Sequence, residues 1–242
     1  MAANTNSRIA LITGGTKGIG YEVAHHLAQK GIEVLIASRD EIKGEQVAEQ
    51  LASENLSVTY IQIDVTNQAT IDLAVTEVAN AYGRLDILIN NSTLYLKEPR
   101  PSDLPSEMIR QNFEVNFFGA IAVTNAFLPL LRQSSSARIV NISSALGSLD
   151  FHKKNRDSHF HCAYSASKAS LDMFTLQLAR DLQGTKIKVN GCTSDLATIE
   201  LYYDHDHGHG MDAAIRSIVH LATLVDDAPT GKIFGLNFGE HK

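Results

Sequence analysis

The sequence predicts an α/β protein whose mostly parallel sheet is covered by helices on both faces. Three observations carry this expectation. Short, β-rich apolar runs alternate with longer segments of helical periodicity along the chain. The first of these runs passes through a glycine-rich turn directly into a helical segment. Finally, 242 residues, 44% of them hydrophobic, suffice for one large domain with a full core.

Arg8 to Thr13 reads as the first strand, Gly14-Gly15-Thr16-Lys17-Gly18-Ile19-Gly20 as the turn, and Val23, Ala24, Leu27 and Ala28 mark the helix that follows. Glycines at 14, 18 and 20 let the backbone turn tightly and approach a pyrophosphate, while free amides at a helix start attract anions. Gly31 ends the helix, and Glu33 to Ala37 reads as a second strand finishing at Ser38-Arg39-Asp40. An acidic residue just after that strand would hold the free ribose hydroxyls of NAD. Ser38 and Arg39, together with Lys17, instead suit the extra phosphate of NADP.

A polar helix is expected from about Glu41 to Ser53, then strand character from Ser57 to Ile63 ending at Asp64-Val65. Asp64 has two readings, acceptor for an adenine amino group or cap of the next helix, which begins near Thr66 to Ala69. Leu85 to Asn90 is a fourth, largely apolar strand running into Asn91-Ser92-Thr93. Pro99, Pro101 and Pro105 mark a loop before one long helix from about Ser106 to Arg132, with Asn116 in its middle and Pro129 near its end. A buried Asn in an apolar helix needs hydrogen-bond partners. Ala137 to Ile142 is the fifth strand and delivers Ser143-Ser144-Ala145-Leu146-Gly147 at its carboxyl end, where ligands bind in open α/β sheets. A polar segment from Asp150 to His161 precedes a helix carrying Tyr164. Lys186 to Asn190 is a sixth strand, Met211 to Leu224 a late helix, and Ile233 to Leu236 an edge strand.

Tyr164 and Lys168 stand four residues apart in a segment with Ala169, Leu171, Phe174 and Leu178 at helical spacing, which puts both on one helix face. A free tyrosine titrates near ~10, and a fixed ammonium beside it favours the phenolate, so the pair is suited to acid-base work near neutrality.

Composition excludes several other classes. The formal net charge is -6, and the 21 Lys and Arg residues are scattered without a basic run, which argues against nucleic acid and anionic membrane as partners. No apolar stretch approaches the ~20 residues of a membrane span, and the start, which runs into Ile9 to Thr13, is too short and wrongly flanked for a signal peptide to be expected. A cytosolic location is expected. Cys162 and Cys192 are expected to be reduced thiols. His205, His207 and His209 lie in a Gly-containing stretch without preorganised ligand spacing, and no metal is expected.

In order and spacing, Thr13-Gly14-x-x-x-Gly18-x-Gly20, Asp64, Asn90-Asn91, Asn116, Ser144 and Tyr164-x-x-x-Lys168 resemble the short-chain dehydrogenase/reductase family over nearly the whole chain. The resemblance implies a single Rossmann-type doubly wound domain of about seven parallel strands. It also implies a nicotinamide cofactor and a catalytic set of Asn116, Ser144, Tyr164 and Lys168. Ser144 rather than Ser143 takes its role because the family pattern Ser-x-x-Gly is met by Ser144 and Gly147. Cofactor contacts are implied at Gly14, Thr16, Lys17, Gly18, Ile19, Gly20, Ser38, Arg39, Asp64, Val65 and Asn91, and at Tyr164 and Lys168. The nearest subgroup in pattern is the NADP-preferring carbonyl reductases, with NADPH reducing a ketone or aldehyde and Tyr164 donating the proton. Ser144 would hold the carbonyl oxygen, Lys168 would tune Tyr164 and bind the nicotinamide ribose, and Asn116 would position a relay water. A substrate lid at about 194–212 and a homo-oligomer, dimer or tetramer, are implied as well.

Three departures from the family pattern stand out. The usual Asn-Asn-Ala-Gly is Asn90-Asn91-Ser92-Thr93, which replaces a glycine by a β-branched residue. After the sixth strand the usual Pro-Gly is Ser194-Asp195, with Ile199 where a Thr often bonds the cofactor and Thr198 beside it. The 20-residue step from Ser144 to Tyr164 is several residues longer than is common in the family. The altered loops leave an alternative, a cofactor-binding or regulatory protein with weak turnover.

Overall fold

The computed structural model describes residues 7–155, 160–193 and 208–235. Seven strands, β1 (Ile9–Thr13), β2 (Glu33–Ser38), β3 (Val58–Gln62), β4 (Ile87–Asn90), β5 (Ala137–Ser143), β6 (Ile187–Thr193) and β7 (Ile233–Phe234), make one sheet in the order β3-β2-β1-β4-β5-β6-β7. Every neighbouring pair is parallel, for example Leu11 opposite Leu35 and Leu88. The helices are α1 (Gly18–Gln29), α2 (Glu41–Ser53), α3 (Gln68–Tyr82), α4 (Ser106–Phe113), α5 (Gly119–Leu131), α6 (Leu149–Lys154), α7 (Cys162–Asp181) and α8 (Gly208–Ala222).

All five residues of β1 are buried, as expected of a strand covered on both faces. Their alternation divides the core into two layers. Ala10 and Ile12 pack with Val23 and Leu27 of α1, Leu51 of α2 and Ile218 of α8. Ile9 and Leu11 pack with Ile71 of α3, Phe127 of α5 and Leu178 of α7 on the other face. The chain winds from β1 out to β3 and then returns to place β4 on the other side of β1. That reversal leaves a crevice at the carboxyl ends of β1 and β4.

The opposite rim of the sheet is held by buried charge. Asp86 accepts from the Ile9 amide at 2.9 Å and the Ser134 hydroxyl at 2.6 Å, with the Arg84 guanidinium at 3.2 Å. Fully buried Arg138 donates to the Leu224 carbonyl beyond α8 at 2.6 and 3.0 Å and pairs with Asp226 at 2.8 Å.

Several expectations are corrected. The single helix read from Ser106 to Arg132 is two helices joined by a π turn, Glu114–Phe118, which contains Asn116. An extra residue in a turn shifts the helical register, but Phe117 to Val123 is apolar at every position, so periodicity could not signal the shift. The polar segment from Asp150 to His161, to which the sequence assigns no element, starts inside a short helix, α6, whose Phe151 amide donates to the Ser148 hydroxyl. The span Ser106–Leu131 is long and apolar enough to cross a membrane by length and composition, contrary to the reading that no stretch approaches this. Its apolar residues Val123, Phe127 and Leu131 are spent on the core. The late helix begins at Gly208, so the end of the anticipated lid, 208–212, is helical. Ser194, Asp195, Thr198, Ile199, His205, His207 and Leu236 lie outside the described residues. Cys162 and Cys192 are both free thiols.

Candidate active site

The glycine turn is fastened to the loop after β4. The Thr13 hydroxyl accepts from the amides of Asn91 and Ser92, both at 3.0 Å, and the Asn91 side chain donates to the carbonyls of Thr13 at 2.9 Å and Gly14 at 3.1 Å. Gly14 has φ 65° and Gly18 φ 54°, left-handed conformations that favour glycine. Gly20 is required by close approach instead: a Cβ there would lie 2.4 Å from the Gly14 carbonyl oxygen.

A cavity of about 560 Å³ opens at this turn. Of the residues anticipated from the sequence, Gly14, Thr16, Lys17, Gly18, Ile19, Ser38, Arg39, Asp64, Val65, Asn91 and Tyr164 line it. Gly20, Asn116, Ser144 and Lys168 do not form its wall. Lys17 and Arg39 are exposed and make no ion pair among the described residues, so two cations face one cavity. Ser38 donates its hydroxyl proton to the Asp40 carbonyl at 2.9 Å, and Asp40 caps α2 through the Lys43 amide. Asp64 is not the cap of α3, a role taken by Asn67 on the Ala69 amide. Its Oδ1 accepts from the Thr66 amide and hydroxyl at 3.0 and 2.7 Å. The glycine turn at the start of α1 and the cavity beside it fit the pyrophosphate of a nicotinamide dinucleotide.

The buried end of the site is a polar knot. Asn116 accepts from the Leu94 amide at 2.7 Å and donates to the Leu94 carbonyl at 2.9 Å and to Ser167 Oγ at 3.0 Å. Both of its amide hydrogens are therefore committed, and what it retains for a water is the second lone pair of Oδ1. A π turn is a common device at functional sites, and here it aims Asn116 at α7. Lys168 is fully buried and donates to the Ile142 carbonyl at 2.8 Å and to Thr93 Oγ1 at 3.1 Å. Its Nζ lies 5.7 Å from the centre of the Tyr164 ring. Thr93, the residue that replaces the family's glycine, thus becomes a ligand of the ammonium. Ser144 is buried, and its Oγ accepts from the Leu146 amide at 3.2 Å.

Three residues here escaped the reading of the sequence. Asp172 follows Lys168 by one helical turn and is mostly buried. Burial pushes the Lys168 ammonium down to about 8, partly countered by the Asp172 charge. Burial likewise lifts Asp172 to about 6, opposed by a Ser143 hydrogen bond and by Lys168. The spacing of four from Lys168 was the available signal for it. Tyr95 packs edge-on against Tyr164 with centroids 5.0 Å apart and places its hydroxyl 3.1 Å from His161 Nδ1. Glu98 accepts from the amides of Ala163 and Tyr164. Nothing local to either loop residue signals these contacts. Among the described residues, Glu22, His25 and His26 could converge on a cation, but His25 is bonded to Glu54 and His26 to the Glu22 carbonyl.

Comparison with known proteins adds independent findings. A family model described as short chain dehydrogenase matches residues 8–198. The (+)-neomenthol dehydrogenase of Capsicum annuum is 30% identical, the alignment covering 95% of this chain and 96% of that protein. Salutaridine reductase of Papaver bracteatum is 28% identical over 94% of each. Among solved structures, the menthone neomenthol reductase from Mentha piperita superposes with a TM-score of 0.78 at 27% identity, covering 96% of this chain and 99% of that one.

Proposed function

The chain belongs to the short-chain dehydrogenase/reductase family and is an oxidoreductase, and from that premise we propose that it reduces a ketone or aldehyde with NADPH, Tyr164 giving the proton. One observation carries the reading. Tyr164 stands in the wall of the same cavity that Lys17 and Arg39 line, with the buried Lys168 ammonium 5.7 Å from its ring.

NADPH, when bound, supplies the hydride. The chain's own residues do the rest. Lys17 and Arg39 would hold the additional phosphate, and the amides of the glycine turn would hold the pyrophosphate. Tyr164 protonates the carbonyl oxygen as charge builds on it, and Lys168 lowers the cost of the phenolate left behind. Ser144, whose Oγ already accepts from Leu146, keeps its hydroxyl proton to donate to the same oxygen. Asn116 holds the loop after β4 and α7 in register through Leu94 and Ser167. The names of the relatives, reductases and dehydrogenases of small molecules, support this chemistry. Phe118 beside α5 and Met173 on α7 are exposed apolar side chains at the two helices through which a homo-oligomer would form, and sedimentation velocity would detect it.

The test is substitution at the proton donor. Tyr164→Phe is expected to lower kcat by at least ~100-fold while the NADPH dissociation constant stays near its original value. Lys168→Met is expected to damage both. If Tyr164→Phe turns over a carbonyl substrate at nearly the original rate, the assignment is wrong.

The second reading, an NADPH-binding protein with little turnover, is favoured by the Thr93 bond that holds Lys168 behind the cavity wall. Measurable NADPH binding without oxidation across a panel of activated ketones and aldehydes would select it.

A further inference from the structure

The helix that bears Tyr164 starts without a cap of its own. The His161 side chain accepts no amide of α7, and the first turn holds no acidic residue. A helix start leaves amides without intrahelical acceptors, and its first turn frays unless something takes them up. Here the acceptor comes from the distant loop after β4. One carboxylate oxygen of Glu98 accepts from the Ala163 amide and the other from the Tyr164 amide, each at 2.8 Å and across 65 and 66 residues of sequence. Two charge-assisted bonds to consecutive amides, at the positive end of a helix, make a strong and directional tie. One of the two amides belongs to Tyr164 itself.

Glu98 is also the last link of a continuous strap. Thr93 accepts from the Lys168 ammonium, the Leu94 backbone brackets Asn116, and the Tyr95 ring meets the Tyr164 ring edge-on. Each of these contacts fixes a side chain of the site. The Glu98 contacts fix the backbone from which Tyr164 projects.

We propose that Glu98 is a positioning residue for Tyr164, its carboxylate tying down the first turn of α7 so that the phenol is held in its direction toward the cavity. The proposal rests on the reading of Tyr164 as proton donor, and the experiment separates the two. In the full chain, with and without NADPH, residue-resolved amide hydrogen exchange is compared for the wild type, Glu98→Ala and Glu98→Gln, alongside steady-state kinetics and NADPH titration. In Glu98→Ala the amides of Ala163 and Tyr164 are expected to exchange at least ~10-fold faster, while those from Leu171 onward keep their rates. The accompanying fall in kcat should be on the order of 10- to 100-fold, with KM and the NADPH dissociation constant within about threefold of the original. Glu98→Gln, which keeps one acceptor oxygen in place, should recover part of both effects. Unchanged exchange at the two amides overturns the proposal. So does a rise spread along all of α7 with kcat per folded molecule unchanged, which would make Glu98 merely structural. Should Glu98→Ala fail to fold, Glu98→Gln and Glu98→Asp carry the same comparison. A Tyr164→Phe variant that keeps its turnover would defeat the proton-donor reading alone, because the exchange arm needs no substrate.

Discussion

Burial alone would strip the proton from Lys168 more readily than the structure allows, since the Asp172 carboxylate one helical turn away raises it back toward about 8. Asp172→Asn removes that support, so the ammonium should titrate lower and the alkaline limb of the kcat profile should move to lower pH, as read from rates between about pH 6 and 10. The same substitution bears on stability. Because the folded Asp172 titrates near 6 and an unfolded aspartate at 3.8, the folded chain binds more protons between those values, and stability falls as pH rises through that window. Asp172→Asn is therefore expected to gain stability at pH 7 and little below pH 3.8, a difference that urea unfolding at the two pH values checks. Cofactor choice is also a residue-scale matter. Arg39 has no competing carboxylate partner among the described residues, so its charge is available to a phosphate. Arg39→Asp should invert a preference for NADPH over NADH, and an unchanged ratio of the two dissociation constants would remove Arg39 from that role.

At the scale of elements, the site depends on how closely α1 is pressed against its own turn. Gly20→Ala would drive a methyl to within 2.4 Å of the Gly14 carbonyl oxygen and 2.6 Å of the Asn91 side chain, neither of which can retreat without breaking a hydrogen bond. The expected result is a loss of about 1 to 3 kcal/mol in unfolding free energy together with weaker NADPH binding, measured by denaturant titration and cofactor fluorescence. This glycine was legible because strand, glycine turn and helix follow one another within Arg8 to Ala28. The π turn at Asn116 was not, since Phe117 to Val123 is apolar at every position and hides a shift of register. The cap of α7 was equally hidden. Asp40 and Asn67 cap α2 and α3 from the adjoining residue and can be read locally, whereas Glu98 reaches Tyr164 only because the fold lays the loop after β4 against the start of α7.

For the whole molecule, the succession of short apolar strands and longer helical segments is what made the doubly covered sheet readable, while the split of Leu11 from Ala10 and Ile12 between two helix layers is visible only in the fold. The polar ties across those layers were not readable. Asn90 donates to Thr124 and Asn141, and Asn141 in turn to Thr175, a buried chain spanning β4, β5, α5 and α7 that exists only once those elements are assembled. The strand order has one more consequence, and it concerns synthesis. β1 pairs with β2 at once, but its other edge waits for β4, and the Ile9 amide bonds Asp86 across 77 residues. At ribosomal rates of roughly 5 to 20 residues per second, the apolar edge Ile9–Thr13 is unpaired for about 4 to 15 s in each nascent chain. An unpaired strand edge is a template for pairing with other chains, so the winding order that creates the crevice also lengthens the exposure of β1 during synthesis.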